Sequence, residues 1–200
     1  MTAEPRASRV AVLAGGSGAV AGAIRERLEA EGFTVATIDA SDRHQARVAA
    51  ERIALELGPI SVLVTAPDRH DAAPFGVLSA QRWERLLMAH LGATVNACAA
   101  IGPAMVQAKR GTIVTLSSWL ALAGVPGEAY YAAATGSILA FTKSFAIEVA
   151  RYGVRVNCIA VGPLDRGVRP SDIAETVAFL INDGDFFVGQ VLSPAAGAVV

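Results

Sequence analysis

Short apolar runs alternate along the chain with segments in which apolar residues recur every three or four positions. The first pattern is typical of buried strands, and the second is typical of helices that bury one face. The apolar runs predict six strands, at residues 9–14, 33–38, 60–64, 112–116, 154–159 and 188–192. Because the strands are apolar throughout and alternate with helices, we expect an α/β fold with a parallel sheet covered on both faces.

Capping signals place helices between these strands. Asp42 is a suitable N-cap for a helix that Gly58 and Pro59 end. Ser79 opens a long helix, and a second long helix is predicted over residues 129–151. Without an internal repeat or a linker, residues 1–200 are expected to form one domain. The apolar face of the helix after Asp42 is expected to consist of Val48, Ile53, Leu55 and Leu57.

A glycine-rich turn follows the first predicted strand. Gly15, Gly16 and Gly18 allow the backbone to approach a pyrophosphate at the N-terminus of the first helix. With Ala21 they fit the permissive dinucleotide fingerprint. Asp39 lies 21 residues after Gly18, at the spacing of an acid that binds ribose. The alternative is a tight turn between strand and helix that requires glycine for geometry alone.

Composition indicates surface that is hidden from water. Apolar residues make up 53% of the chain and charged residues only 18%, against roughly 25% charged residues in an average soluble domain. We therefore expect an oligomer interface. The net charge of −1 argues against a nucleic-acid partner, which would favour a basic chain.

Several features argue against export and metal binding. Residues 1–8 lack the apolar core of a signal peptide, so a cytoplasmic location is expected. The uncharged run at residues 86–108 is long enough to cross a membrane, but its polar residues favour a buried helix. Cys98 and Cys158 lie in apolar runs and are expected to be buried free thiols. His44 and His70 lie in polar stretches and are expected to be solvated, without the spacing of metal ligands.

Three motifs resemble those of the short-chain dehydrogenase/reductase superfamily. They are IVTLSS at 113–118 with Tyr131 downstream, VRVNCIAVGP at 154–163 and GQVL at 189–192. The resemblance covers nearly the whole chain. It implies a doubly wound, Rossmann-like parallel sheet, NAD(P) as cofactor, and hydride transfer to or from a carbonyl or alcohol carbon by an Asn, Ser, Tyr and Lys tetrad.

Only half of that tetrad is present. The resemblance places its serine on Ser118 and its tyrosine on Tyr131, but its lysine position is Thr135 and its asparagine position is His90. An unperturbed tyrosine titrates near pH 10, so acid–base work at neutral pH needs a nearby cation. Thr135 supplies none. We therefore expect all four positions to be vestigial.

The cofactor motifs depart from the family as well. The pattern TGxxxGIG has Ala19 and Ala21 in place of its second and third glycines, and NNAG is replaced by TAPD at 65–68. About one strand and one helix are missing before residue 60, which leaves Asp39 ambiguous between a ribose-binding acid and a later family aspartate. The loop that would close over substrate, after residue 163, is also shortened. Gly15, Gly16, Gly18 and Asp39 are thus expected to be vestigial, with no nucleotide bound by this chain.

These losses predict a non-catalytic subunit. We expect it to assemble with an active paralogue, which carries NAD, into a hetero-oligomer such as a heterotetramer. The contacts would involve the helices at 78–107 and 129–151 and the C-terminal strand, as the resemblance implies. The pattern of losses and the tail at 191–197 are similar to inactive subunits of heteromeric acyl-CoA dehydrogenases of this superfamily, such as 2-(hydroxybenzyl)succinyl-CoA dehydrogenase.

Two alternatives remain open at the level of sequence. One is an atypical active oxidoreductase that uses Ser118 and Tyr131, with a protonated His90 in place of the missing cation. Its activity would fall as the pH rises through the pKa of that histidine. The other is a regulatory protein that binds a small ligand in the same fold.

Overall fold

The computed structural model describes residues 9–197, which fold around one parallel sheet of six strands. The strand order is β2-β1-β3-β4-β5-β6, so neighbouring strands are joined by crossovers. The predicted α/β fold with a doubly wound sheet is confirmed. The strands are Val10–Ala14 (β1), Thr34–Ile38 (β2), Ile60–Thr65 (β3), Gly111–Ser118 (β4), Val154–Val161 (β5) and Val191–Leu192 (β6).

Six α-helices cover the sheet. A π-helical turn, Met88–Gly92, joins the third to the fourth, and short 3-10 turns follow β4 and β5. One core cluster lies beneath α2, α4 and α5, and another lies beneath α1 and α6, on the opposite face. The helices are Ala19–Ala30 (α1), Arg43–Leu57 (α2), Ala80–Leu87 (α3), Ala93–Ala108 (α4), Ala129–Ala150 (α5) and Pro170–Asn182 (α6).

The predicted caps are confirmed, but the predicted apolar face of α2 is wrong. Asp42 Oδ1 accepts the Gln45 N–H at 2.7 Å, and Ser79 Oγ accepts the Arg82 N–H at 3.3 Å. Of the expected face of α2, only Ile53 is buried. Small residues bring this helix close to the sheet and to α4, so its longer apolar side chains point outward. Buried with Ile53 are Ala46 and Ala50, whereas Val48, Leu55 and Leu57 are exposed.

The shortened part of the sheet leaves β2 at one edge. A single helix, α2, connects β2 to β3, as predicted. Within residues 9–197, β2 pairs only with β1. Arg25 of α1 reaches this edge, where it donates to the Val35 carbonyl at 3.0 Å and to the Thr37 hydroxyl.

The opposite edge strand is shorter than the sequence suggests. Of residues 188–192, only Val191 and Leu192 pair with β5. The preceding backbone still bonds to β5 through the Gly189 N–H and the Gln190 carbonyl. The Asn157 side chain holds it as well, donating to the Phe187 carbonyl at 2.8 Å and accepting the Gln190 N–H at 2.9 Å.

The long helical segment Ala80–Ala108 passes a length-and-composition test for a membrane span, with 39% of its most apolar window buried. Its inner face packs in the core, where Cys98, Ile101 and Met105 are buried. That arrangement agrees with the predicted core helix. Cys98 and Cys158 are buried free thiols, as expected, and burial raises their pKa to about 12 and about 11.

Candidate functional site

A cleft of about 480 Å³ opens where the strands β1, β3, β4 and β5 end. Ligands bind at this edge in parallel α/β sheets, where loops from neighbouring strands diverge. The glycine turn forms one wall, and the start of α5 with the residues after β4 forms another. The residues that line the cleft include Gly16, Gly18, Asp68, His70, Ser118, Tyr131 and Asp165.

Ser118 and Tyr131 meet in this cleft, as their sequence assignment predicts. Ser118 ends β4, where its hydroxyl accepts the Leu120 N–H at 3.2 Å. Tyr131 lies in the first turn of α5. Burial raises the pKa of the Tyr131 phenol; the Ser118 side chain acts against that shift, and the Glu128 carboxylate adds to it. The phenol is therefore protonated at neutral pH.

Thr135 lies one turn after Tyr131, and both its hydroxyl and its carbonyl are hydrogen-bonded to protein groups. Its hydroxyl donates to the Tyr131 carbonyl at 2.8 Å, and its own carbonyl accepts the Ser117 hydroxyl at 2.8 Å. Lys143, on the same helix, is twelve residues beyond Tyr131, or about 18 Å along the axis. It is too far away to act on the phenol.

His90 packs against the Tyr131 ring but is neutral. The ring centroids are 5.3 Å apart and nearly perpendicular. His90 Nε2 lies 2.5 Å from the Arg69 carbonyl oxygen, which can only accept, so Nε2 carries the proton. Nδ1 is buried without a partner in the described structure. Burial lowers the pKa of His90, against the weaker effect of the Arg69 hydrogen bond, so protonation here is disfavoured.

The backbone around His90 is itself irregular. The π-helical turn Met88–Gly92 inserts extra winding between α3 and α4, with His90 at its centre. Such turns are uncommon and occur frequently at functional sites. Here the turn rotates His90 beneath the loop that contains Arg69 and against the Tyr131 ring.

His70 is a site residue that the sequence did not reveal, since it was expected to be merely solvated. Its Nε2 lies 3.0 Å from Glu128 Oε2, and its ring stands edge-on to Tyr131 at a centroid distance of 4.6 Å. Its side chain remains half exposed. No local pattern marks it, because the loop after β3 and the start of α5 approach only in the folded chain.

The glycine turn keeps its shape for packing reasons. Gly15 and Gly16 have φ of 77° and 73°, a region that favours glycine. A Cβ on Gly16 would lie 2.8 Å from the Ala21 Cβ and 2.9 Å from the Ala66 carbonyl oxygen. Gly18 has extended backbone, and a Cβ there would meet only Asp68 Oδ2, at 3.9 Å. The geometric explanation for glycine is thus sufficient at Gly16 without a ligand.

A carboxylate lies directly over this turn. Asp68 Oδ2 accepts the Ser17 N–H at 2.9 Å and the Ser17 hydroxyl at 3.2 Å. A dinucleotide diphosphate would need the backbone N–H groups of this turn and of the start of α1, and Asp68 occupies that of Ser17, one residue before the N-cap Gly18. The residues at the turn therefore do not fit that group as they stand, and none of the described residues that line the cleft is Lys or Arg.

Asp39 directly follows β2, next to β1, which is where a ribose-binding acid belongs. Its Oδ1 accepts the Ser41 N–H at 2.8 Å, and this bond lowers the pKa of the Asp39 carboxyl. Asp39 lines a cavity of about 220 Å³ beside Gly15 and Asp68. The position of Asp39 thus suits a ribose-binding acid, although its Oδ1 already accepts the Ser41 N–H.

The connection from β5 to α6 is short, as predicted. Residues 162–169 contain one 3-10 turn, Leu164–Arg166, and no longer lid. The C-terminal segment packs against its start, since a Cβ on Gly162 would collide with the Pro194 carbonyl oxygen. This side of the cleft is consequently closed by fixed backbone.

Comparison with known proteins agrees with the fold and the motifs. A family model described as short chain dehydrogenase matches residues 6–175. The 3-oxoacyl-[acyl-carrier-protein] reductase of Chlamydia trachomatis is 31% identical over 185 residues, covering 81% of this chain and 75% of the relative. Nodulation protein G of Azospirillum brasilense is 27% identical over 188 residues, covering 82% and 76%.

A solved structure shows the same architecture. NAD⁺-bound xylitol dehydrogenase superposes with a TM-score of 0.87 at 21% identity, over 95% of this chain and 98% of that chain. At that identity the likeness supports the fold alone. With the family match and the reductase relative, the conclusion is that this chain belongs to the short-chain dehydrogenase/reductase family of oxidoreductases.

Proposed function

We propose that this chain is a non-catalytic member of the family that assembles with an active paralogue. The observation that carries the proposal is Thr135, which holds the position of the family's lysine beside Tyr131. A general acid/base works best with a pKa near the operating pH. Here burial moves the pKa of Tyr131 upward, and the charged group that acts on it is the anion of Glu128.

The neighbouring histidines do not replace the missing cation. His90 is neutral, with its proton directed at the Arg69 carbonyl. His70 pairs with Glu128, so a charge on His70 is balanced by an adjacent carboxylate. The Tyr131 phenol accordingly lacks a nearby positive charge that would lower its pKa toward 7.

The long helices offer a surface for assembly. None of the 16 residues of α4 is charged, although only six of them are buried. Two of the 22 residues of α5 are charged, Lys143 and Glu148, and six are buried. Phe145 of α5 lies close to Gly102 of α4, so the two helices are neighbours at this point. Weakly charged, partly exposed helices of this kind are typical of an interface.

We propose an active short-chain dehydrogenase as the occupant of this surface and of the edge at β6. A subunit of the same fold would present matching helices, and it would supply the lysine and the NAD that this chain is proposed to lack. Relatives named as 3-oxoacyl-[acyl-carrier-protein] reductases suggest oxoacyl or hydroxyacyl thioesters, including acyl-CoA, as substrates of the complex. The expected site of this complex is the cytoplasm.

The assembly is tested by native mass spectrometry of the complex isolated from its source organism. We expect a mixed oligomer that contains a second short-chain dehydrogenase, identified by peptide sequencing, with one nicotinamide for each partner subunit. A homo-oligomer that carries nicotinamide on every copy of this chain would contradict the proposal.

Substitution of Tyr131 by phenylalanine tests the catalytic part. In the complex co-expressed with its identified partner, turnover is expected to stay within about twofold of the wild type. The reason is that Tyr131 takes no part in proton transfer. Removal of a working general acid/base lowers turnover by about 10² to 10⁴, and the same change in the active subunit provides that positive control. A comparable loss from Tyr131→Phe would refute a non-catalytic role.

Replacement of Ile147 by glutamate tests the surface. Ile147 is 77% exposed on the outer face of α5. Burying an unpaired carboxylate in the contact is expected to weaken the assembly by at least about tenfold, because such a charge costs several kcal/mol. Leu55→Glu is the matched control, since Leu55 is 87% exposed on α2, a helix that is not part of the proposed contact. Analytical ultracentrifugation measures both; equal weakening by the two variants would place the interface elsewhere.

The alternative of an active oxidoreductase is favoured by one observation. Ser118 and Tyr131 still share a cleft, with Ser118 acting on the pKa of the phenol. The isolated chain would then reduce an oxoacyl thioester with NADH or NADPH, and Tyr131→Phe would abolish the reaction. We expect no hydride transfer by the isolated chain, measured by nicotinamide absorbance.

A further inference from the structure

We propose that Asp68 excludes dinucleotides from this chain by holding its carboxylate where a diphosphate would bind. The inference rests on the proposed non-catalytic function and adds a specific cause for the absence of cofactor. It concerns one residue, which follows β3 and stands over the turn between β1 and α1.

The turn between β1 and α1 presents hydrogen-bond donors, which favour anions. At the start of α1 the backbone N–H groups lack partners within the helix and face outward with the positive end of the helix dipole. That combination binds anions. Directly before the N-cap Gly18, the Ser17 N–H and hydroxyl already donate to Asp68 Oδ2, at 2.9 and 3.2 Å, so the carboxylate stands at the entrance to these groups.

The backbone fixes Asp68 in this position. Ala66 donates its N–H to the Ala14 carbonyl at 2.9 Å, which continues the pairing of β3 with β1. Pro67 then restricts the chain, and Asp68 follows directly. A Cβ on Gly18 would lie 3.9 Å from Asp68 Oδ2, so the carboxylate also stands over the residue that caps α1.

An incoming diphosphate meets two costs. It must displace the Asp68 carboxylate from Ser17. The carboxylate belongs to the same chain, so it binds there without the translational entropy that a free ligand loses. The diphosphate must also approach a fixed negative charge, with a second carboxylate, Asp165, in the same cleft. None of the described residues that line this cleft is Lys or Arg; the cation Arg69 lines the adjoining cavity beside Asp39. The turn is therefore selective against diphosphates, while ligands without phosphate are unaffected by Asp68.

Calorimetric titration with two probes tests this inference. ADP-ribose carries the diphosphate, and adenosine carries none. We expect Asp68→Asn and Asp68→Gly to raise the affinity for ADP-ribose by at least about tenfold over the wild type and to leave the affinity for adenosine unchanged. Asp68 is exposed, so both variants are expected to melt at the wild-type temperature.

Asp165→Asn is the matched control. It removes the same charge from the same cleft without touching Ser17, and it is expected to change ADP-ribose affinity much less than either Asp68 variant. The inference is overturned when neither Asp68 variant gains affinity, or when Asp165→Asn gains as much, because the effect is then one of general charge.

Hydride transfer is measured in parallel, so that the two proposals fail separately. The Asp68 variants are expected to bind NADH yet remain inactive, because Tyr131 still lacks its cation. Turnover by the wild-type chain would refute the proposed function, whereas a missing gain in ADP-ribose affinity would refute the role of Asp68 and leave the proposed function standing.

Discussion

Gly16→Ala is expected to lower the free energy of unfolding by about 3 kcal/mol. Part of this cost arises because alanine is strained in left-handed backbone, and part because the added methyl group overpacks the turn. Gly16 has a φ of 73°, and its added methyl group would press on the Ala21 Cβ and the Ala66 carbonyl oxygen at 2.8 and 2.9 Å. Both contacts belong to fixed elements, α1 and the end of β3, so neither can retreat without moving the turn.

Gly18→Ala is the control for that experiment. Gly18 has a φ of −84°, and the nearest atom to an added Cβ is 3.9 Å away. The loss of stability is expected to stay below about 1 kcal/mol, the scale of an N-cap preference. Urea unfolding followed by circular dichroism compares the two variants. Equal losses would mean that glycine at 16 is not required by packing, and a ligand would again be needed to explain it.

Arg155→Met is expected to cost about 3 kcal/mol, because several buried acceptors lose a charged donor at once. Arg155 donates to the carbonyls of Leu180, Ile181 and Gly184 at 2.7 to 3.0 Å, and to the Thr112 hydroxyl at 3.0 Å. Its guanidinium thus caps the C-terminus of α6, where a cation also interacts favourably with the helix dipole. Its side chain is only 18% exposed, so water cannot replace it easily.

Arg47→Met serves as the comparison for Arg155. Arg47 pairs with Glu51 on the surface of α2, where both side chains are more than half exposed. Surface pairs of this kind contribute about 0 to 1 kcal/mol. Thermal and urea unfolding of the two variants should therefore differ clearly. A loss from Arg155→Met as small as that from Arg47→Met would show that the carbonyls at the end of α6 find other donors.

The motif VRVNCIAVGP illustrates what the family resemblance preserves. Arg155 donates to the carbonyls at the C-terminus of α6. Asn157 holds the backbone before β6 through both its amide nitrogen and its amide oxygen. Gly162 gives the C-terminal segment room to pack. Each of these roles supports the sheet. A chain can therefore match the family along most of its length while the groups that perform the chemistry have changed.

The strands, apart from the length of β6, and the N-caps of α2 and α3 could be predicted from local pattern, since a buried strand leaves an apolar run and a cap needs a single side chain. The face of α2 could not be predicted, because Leu55 and Val48 have helical spacing but alanines make the close contact. The family resemblance, which assigned the serine and tyrosine positions to Ser118 and Tyr131, led correctly to one cleft. Asp68 on Ser17, and His70 with Glu128, depend on loops that meet only after folding.

The free edge of β2 affects how readily the sheet pairs with strands of other molecules. An unpaired strand presents carbonyls and N–H groups that recruit further strands, and natural sheets blunt such edges with charged side chains. Alternate residues of β2 bond to β1, as the Thr34 N–H and the Ile38 carbonyl do, so Val35 and Thr37 face outward. Arg25 occupies the Val35 carbonyl. By occupying this carbonyl, Arg25 leaves fewer backbone groups of the β2 edge open to an added strand.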